Sequence, residues 1–177
     1  MPTGLLAVWW VVVSEIVIFG GLLASYIMHR LAHDSFAVQA AYTNTMIGAF
    51  NTFVLLTSSL TAVLAHREAE KGNGPKAAQF LMYTVGGALT FTCVKAYEWY
   101  TEISHGYTIT SDTFWSFYYT AAGLHALHVI AGAIIMVIVA NSARKNLELH
   151  RVELIGIYWH FVDVVWIFLF PLLYIAK

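Results

Sequence analysis

Two histidines, His125 and His128, stand three residues apart in the apolar run GLHALHVIAG, which spans residues 123–132. At that spacing both rings share one face of a helix, and imidazole is a ligand for haem and transition metals as well as a proton carrier. A second stripe follows, in which Glu153, Gly156, His160 and Asp163 are spaced 3, 4 and 3 apart, with Trp159 and Trp166 flanking it. Glu15 stands alone in VVVSEIVIFGG. Three kinds of chemistry fit these residues. The histidines could ligate a metal or haem with carboxylates behind them, the set could relay protons, or the polar side chains could lock helices together. Small residues on the histidine stripe (Ala121 and Gly132) allow a neighbouring helix to approach closely, which favours packing. The tryptophans leave little room for a haem plane.

The elements that must carry these residues follow from composition. Hydrophobic residues make up 59% of the 177 and charged ones 11%, too few charges to cover the surface of a soluble domain. An all-α, polytopic membrane protein is expected. A spanning helix needs about 20 predominantly apolar residues, and five segments qualify, about 5–31, 40–66, 76–102, 112–141 and 151–175, in a single membrane domain. The breaks between them are polar: HREAEKGNGPK, TEISHGYTITSD, NSARKNLELHR and a short HRLAHDSF with little turn chemistry. The N-terminus has no Lys/Arg n-region and reads as the first span rather than a secretory signal. Cys93 is the only cysteine, which excludes an intramolecular disulfide and a cysteine-based metal cluster. The net charge of −1 gives no reason to expect a nucleic-acid partner.

Arg67, Lys71, Lys76, Arg144, Lys145 and Arg151 flank the second and fourth breaks, against Arg30 and Lys177 at the other end. The positive-inside rule then puts the N-terminus in the cytoplasm and the C-terminus in the periplasm. Trp9 and Trp10 at one end, and Trp99, Tyr100, Tyr107 and Trp115 at the other, suit aromatic interface belts. Lys95 and Glu98 are expected to form a local ion pair that reaches the interface. Counted at about 1.5 Å per residue, Glu15, His128, His160 and Asp163 all lie roughly 14–20 Å from the cytoplasmic ends of their helices. Glu15 is therefore expected to meet His128 or His125.

The ordered motifs resemble subunit III of the haem–copper terminal oxidases. GLHALHVIAG followed by IYWHFVDVVWIFLF carries the resemblance, with SEIVIFGGLLASY, NTFVLLTSSLTAVLAH and YEWYTEISHGYTITSD in the same order over nearly the whole chain. Longer members have seven spans, and this chain begins at what resembles the third, as in five-span bacterial forms. The resemblance implies a non-catalytic, metal-free subunit of a respiratory oxidase in the bacterial inner membrane. It would pack mainly on subunit I, with subunit II nearby, while haem and copper reside in those partners. It implies an intramembrane polar network of Glu15, His125, His128, His160 and Asp163 supporting proton uptake. Weaker candidates for polar or phospholipid contacts are Glu98, Arg144, His150, Arg151 and Glu153. The alternatives are an accessory protein of nitric oxide reductase and, in a different class, an independent haem- or metal-binding membrane protein using His125, His128 and His160.

Overall fold

The computed structural model describes residues 3–33 and 35–176, so Lys177, counted above among the basic residues, lies outside the described residues. Five long helices carry the chain: α1 (Thr3–Ala32), α3 (Thr45–Glu70), α4 (Gly74–Ser104), α5 (Thr113–Ala143) and α6 (His150–Phe170). All five are long and apolar enough to cross a membrane, α6 with the π-helical turn that continues it to Ile175. Their starts are set by polar caps. Asn44 accepts from the backbone N–H groups of Met46 and Ile47, Asn73 from Lys76, and Asp112 from Phe114.

The span expected from residue 40 begins instead at Thr45, behind its Asn44 cap. Before it lies a short helix absent from the expectation, α2 (Ser35–Ala40). The first break has little turn chemistry because residues 29–32 still belong to α1 and Ser35 and Phe36 already belong to α2. Phe36 of α2 is buried, packing edge-on against Tyr26 and Phe114. Trp115, expected in an interface belt, is fully buried: it stacks on Tyr107 at 4.8 Å and donates from Nε1 to Gln39 of α2 at 3.0 Å. Trp10, 74% exposed, keeps the belt position.

Helices α3, α4, α5 and α6 form a four-helix core, in which α3 and α5 each pack on both α4 and α6. Helix α1 lies outside it, against α6 and α5. Two glycines permit close approaches between elements. A Cβ on Gly74 would sit 2.1 Å from the Ala143 carbonyl, and its N–H donates to Asn146 Oδ1 at 2.9 Å, which ties the α3–α4 break to the α5–α6 break. A Cβ on Gly132 would lie 3.1 Å from the Tyr158 ring, so the glycine that ends the histidine stripe lets α6 seat against α5. The two basic breaks thus share one end of the bundle with the start of α1, where Gly4 meets Leu154.

At the opposite end the chain closes on a buried charge. Pro171 has no N–H to continue the α-helical ladder, and residues Pro171–Ile175 wind as a π-helix, with the Ala176 N–H donating back to the Pro171 carbonyl. This turn aims Tyr174 at Lys95. The Lys95 ammonium donates to Glu98 Oε2 at 3.0 Å, to the Tyr118 hydroxyl at 2.9 Å and to the Tyr174 hydroxyl. Tyr174 donates to Glu98 Oε2 and Tyr118 to Glu102 Oε1, both at 3.1 Å. The ion pair expected to reach the interface is instead enclosed, Lys95 and Glu98 each being 1% exposed. The reason is that Tyr118 from α5 and Tyr174 from the π-helical turn cover the pair.

A buried ion pair contributes little net stability when intact, but removing one partner strands the other and costs about 3–5 kcal/mol. Lys95→Met is therefore expected to lower the thermal midpoint of the detergent-solubilised protein sharply. Lys95→Met/Glu98→Gln should recover most of that loss. A double variant no more stable than Lys95→Met would show that the pair is not energetically coupled.

Candidate functional site

Glu15 sits midway along α1, on the side turned toward α5. His128 of α5 presents Nε2 to it, 3.1 Å from Glu15 Oε2, and the His128 and Glu15 side chains are 13% and 16% exposed, respectively. The other ring nitrogen is committed. His128 Nδ1 lies 2.8 Å from the Leu124 carbonyl one turn back, and a carbonyl only accepts, so Nδ1 carries the hydrogen. This fixes the tautomer. Nε2 and Glu15 then share a single exchangeable proton: on the ring the pair is an ion pair, and on the carboxyl it is neutral. The contact has ion-pair distance but lacks the alignment of a hydrogen bond, leaving Glu15 Oε2 without one. Phe19 packs edge-on against the imidazole at 5.5 Å, and Tyr158 donates to the His128 carbonyl at 3.3 Å.

His125, three residues earlier, points into the four-helix core. It is fully buried, stacked on Trp166 at 5.1 Å with Phe91 edge-on at 5.5 Å, and neither ring nitrogen has a hydrogen-bond partner. The two histidines of GLHALHVIAG therefore serve different neighbours. His160 lies on the α3 side, where Nδ1 and the Ser59 hydroxyl share a 2.7 Å hydrogen bond. Asp163 is 4% exposed and neither of its oxygens is hydrogen-bonded. Similar depth along the helices thus brings together only one pair of the expected five-residue network: Glu15 with His128. No group of three or more His, Cys, Asp or Glu side chains is arranged to hold a metal among the described residues.

The remaining candidates separate in the same way. Glu98 belongs to the Lys95 network, which also includes Glu102, Tyr118 and Tyr174. Those three had no signal in the sequence beyond the spacing of Glu98 and Glu102, since the tyrosines arrive from two other elements. Arg144, His150, Arg151 and Glu153 are exposed at the basic end, where Arg151 pairs with Glu148 at 2.7 Å. His150 and Arg151 also line a cleft of about 660 Å³ between α1, α5 and α6, whose other walls include Val8, Val11, Val139 and Tyr158.

Residues 3–177 match the sequence profile of the family described as cytochrome c oxidase subunit III. The chain is 32% identical over 171 residues to a cytochrome c oxidase subunit 3 of Corynebacterium diphtheriae, covering 93% of this chain and 83% of that one. It is 31% identical over 168 residues to the cytochrome c oxidase subunit 3 of Thermostichus vulcanus, covering 92% and 82%. It is also 28% identical over 181 residues to a heme-copper oxidase subunit I+III of Aeropyrum pernix, covering 96% of this chain and 22% of that protein. With a profile match along the chain and relatives of nearly the same extent, this five-helix membrane protein belongs to the cytochrome c oxidase subunit III family.

Proposed function

We propose that this chain is a non-catalytic subunit III that stabilises subunit I of a bacterial haem–copper oxidase and supports proton uptake during electron transfer to oxygen. The carrying observation is the Glu15–His128 pair, a carboxyl and an imidazole that share one proton within the membrane. His128 Nδ1–H, held on the Leu124 carbonyl, keeps the ring from tumbling, so proton movement is confined to Nε2 and the carboxyl. Partial exposure of the two side chains supports delivery of the proton through a water-filled cavity formed with a partner subunit.

Subunit I is the main partner, a reading supported by the relative in which the subunits I and III are named as one chain. Subunit II lies beyond it, and haem and copper reside in those partners. The basic end faces the cytoplasm, placing the protein in the inner membrane with its C-terminus in the periplasm. The cleft beside His150 and Arg151 has apolar walls and a cationic rim, which suits the acyl chain and headgroup of an anionic phospholipid.

Replacing Glu15 by Gln removes the titratable carboxyl and keeps the shape. In the purified complex, Glu15→Gln is expected to shorten the lifetime of sustained turnover or slow proton uptake, with haem content unchanged. Unchanged sustained turnover would leave the pair a packing role alone. The assembly itself is tested by isolating the tagged chain from membranes. It should bring a haem-bearing partner that consumes oxygen; consumption of nitric oxide instead would identify an accessory protein of nitric oxide reductase. A haem on the isolated chain, or a bound metal lost on replacing His125, His128 or His160, would overturn the non-catalytic reading.

A further inference from the structure

We propose that His29 and His33 form a two-histidine binding site for a divalent transition-metal ion, copper(II) in preference to zinc(II) or nickel(II), at the end of the bundle away from the basic breaks. It is separate from the Glu15–His128 pair and does not depend on the proton reading.

The two residues sit four apart, on the last turn of α1 and immediately after it, so their side chains share a face. Each ring is already in the tautomer that a metal needs. His29 Nδ1 lies 2.9 Å from the Ser25 carbonyl and His33 Nδ1 lies 3.0 Å from the His29 carbonyl. Carbonyls only accept, so both Nδ1 atoms carry hydrogen and both Nε2 atoms keep a free lone pair in the neutral ring. A backbone carbonyl on the distal N–H is the usual support of a metal-ligating histidine, because it orients the ring and raises its basicity.

The rings are also suitably placed relative to each other. Their planes are 14° from parallel and their centroids 6.3 Å apart. With metal–nitrogen bonds of about 2.0–2.1 Å, two imidazoles on one ion hold their centroids no more than roughly 6.5 Å apart. Phe117 packs against His29 at 5.2 Å and Phe36 lies 6.4 Å from His33, restricting the rings from the protein side while the histidines stay exposed.

The local field has two opposing contributions. The carbonyl end of α1 carries the negative pole of the helix dipole. Arg30, a cation one residue from His29, opposes it but is turned to the Ala176 carbonyl and the Tyr26 hydroxyl. Two neutral imidazoles with water completing the shell select copper(II), nickel(II) or zinc(II) over calcium or magnesium, and the Irving–Williams order puts copper first. With two protein ligands the site exchanges its ion rather than holding it structurally.

The test uses the full chain in its detergent-solubilised complex, treated with chelator and then dialysed against zinc chloride. Bound zinc is counted by mass spectrometry. The wild type is expected to retain one zinc more per complex than either His29→Gln or His33→Gln, with roughly tenfold or greater weakening from each substitution alone. With copper(II) chloride in place of zinc, the electron paramagnetic resonance spectrum should show nitrogen couplings that both variants lose. Unchanged haem spectra report that the variants are folded. Equal metal uptake by wild type and variants, loss in only one of the two variants, or no uptake by the wild type would each overturn the proposal.

Discussion

Within the hydrocarbon layer no water is available to satisfy a polar group, so every charge and every hydrogen bond must be resolved by the protein itself. The helices resolve the backbone. Hydroxyl side chains mostly return to their own helix, as Thr52 does on the Gly48 carbonyl and Thr92 on that of Ala88, both at 2.8 Å. The indoles reach across instead: Trp159 donates to Ser58 at 3.1 Å and Trp166 to Thr52 at 3.0 Å, which joins α6 to α3 without a charge. The ionisable side chains need special arrangements, and two of these mark different parts of the molecule.

The two main arrangements are opposites. Lys95 is surrounded by partners from three elements, with the Trp166 ring 5.5 Å from its ammonium, and has almost no exposure. Moving its charge would disturb α4, α5 and the π-helical turn together, so this network fixes structure. Glu15 has one charged partner, imperfect alignment and access at its edge. Moving a proton there disturbs little else. A buried polar site with many partners holds several elements together, while one with a single partner constrains only the two helices that carry it.

The five spans were legible because length and apolar content alone decide them, and the Glu15–His128 contact because depth along a helix is a simple count. What depth does not contain is azimuth. His125 shares the His128 stripe in sequence, yet a difference of three residues rotates it toward Trp166 and away from α1. Asp163 lies near the right depth but on a face turned from Glu15. Short-range signals also misled at the first break, where a six-residue helix has no strong periodicity of its own and is held by the packing of Phe36. The Lys95 cage was hidden for a different reason: its tyrosines are 23 and 79 residues away in sequence, and the second depends on a proline-induced change of helix type.

Helix α1 explains why the pair and the fold need to be considered together. Its spanning window has a mean hydropathy of 2.2 but is only 11% buried by its own chain, against 44% for α5 and α6. The chain therefore spends little of its packing on the helix that carries its most consequential carboxyl. Gly20 and Gly21, with nothing within 4 Å of where a Cβ would be, leave room for another helix to approach that segment. Whatever covers α1 in the assembled membrane complex also determines how much water reaches Glu15, and electrostatic interactions strengthen as water is excluded. The contact of Glu15 with His128 thus lies on the least covered helix, where assembly sets its dielectric surroundings.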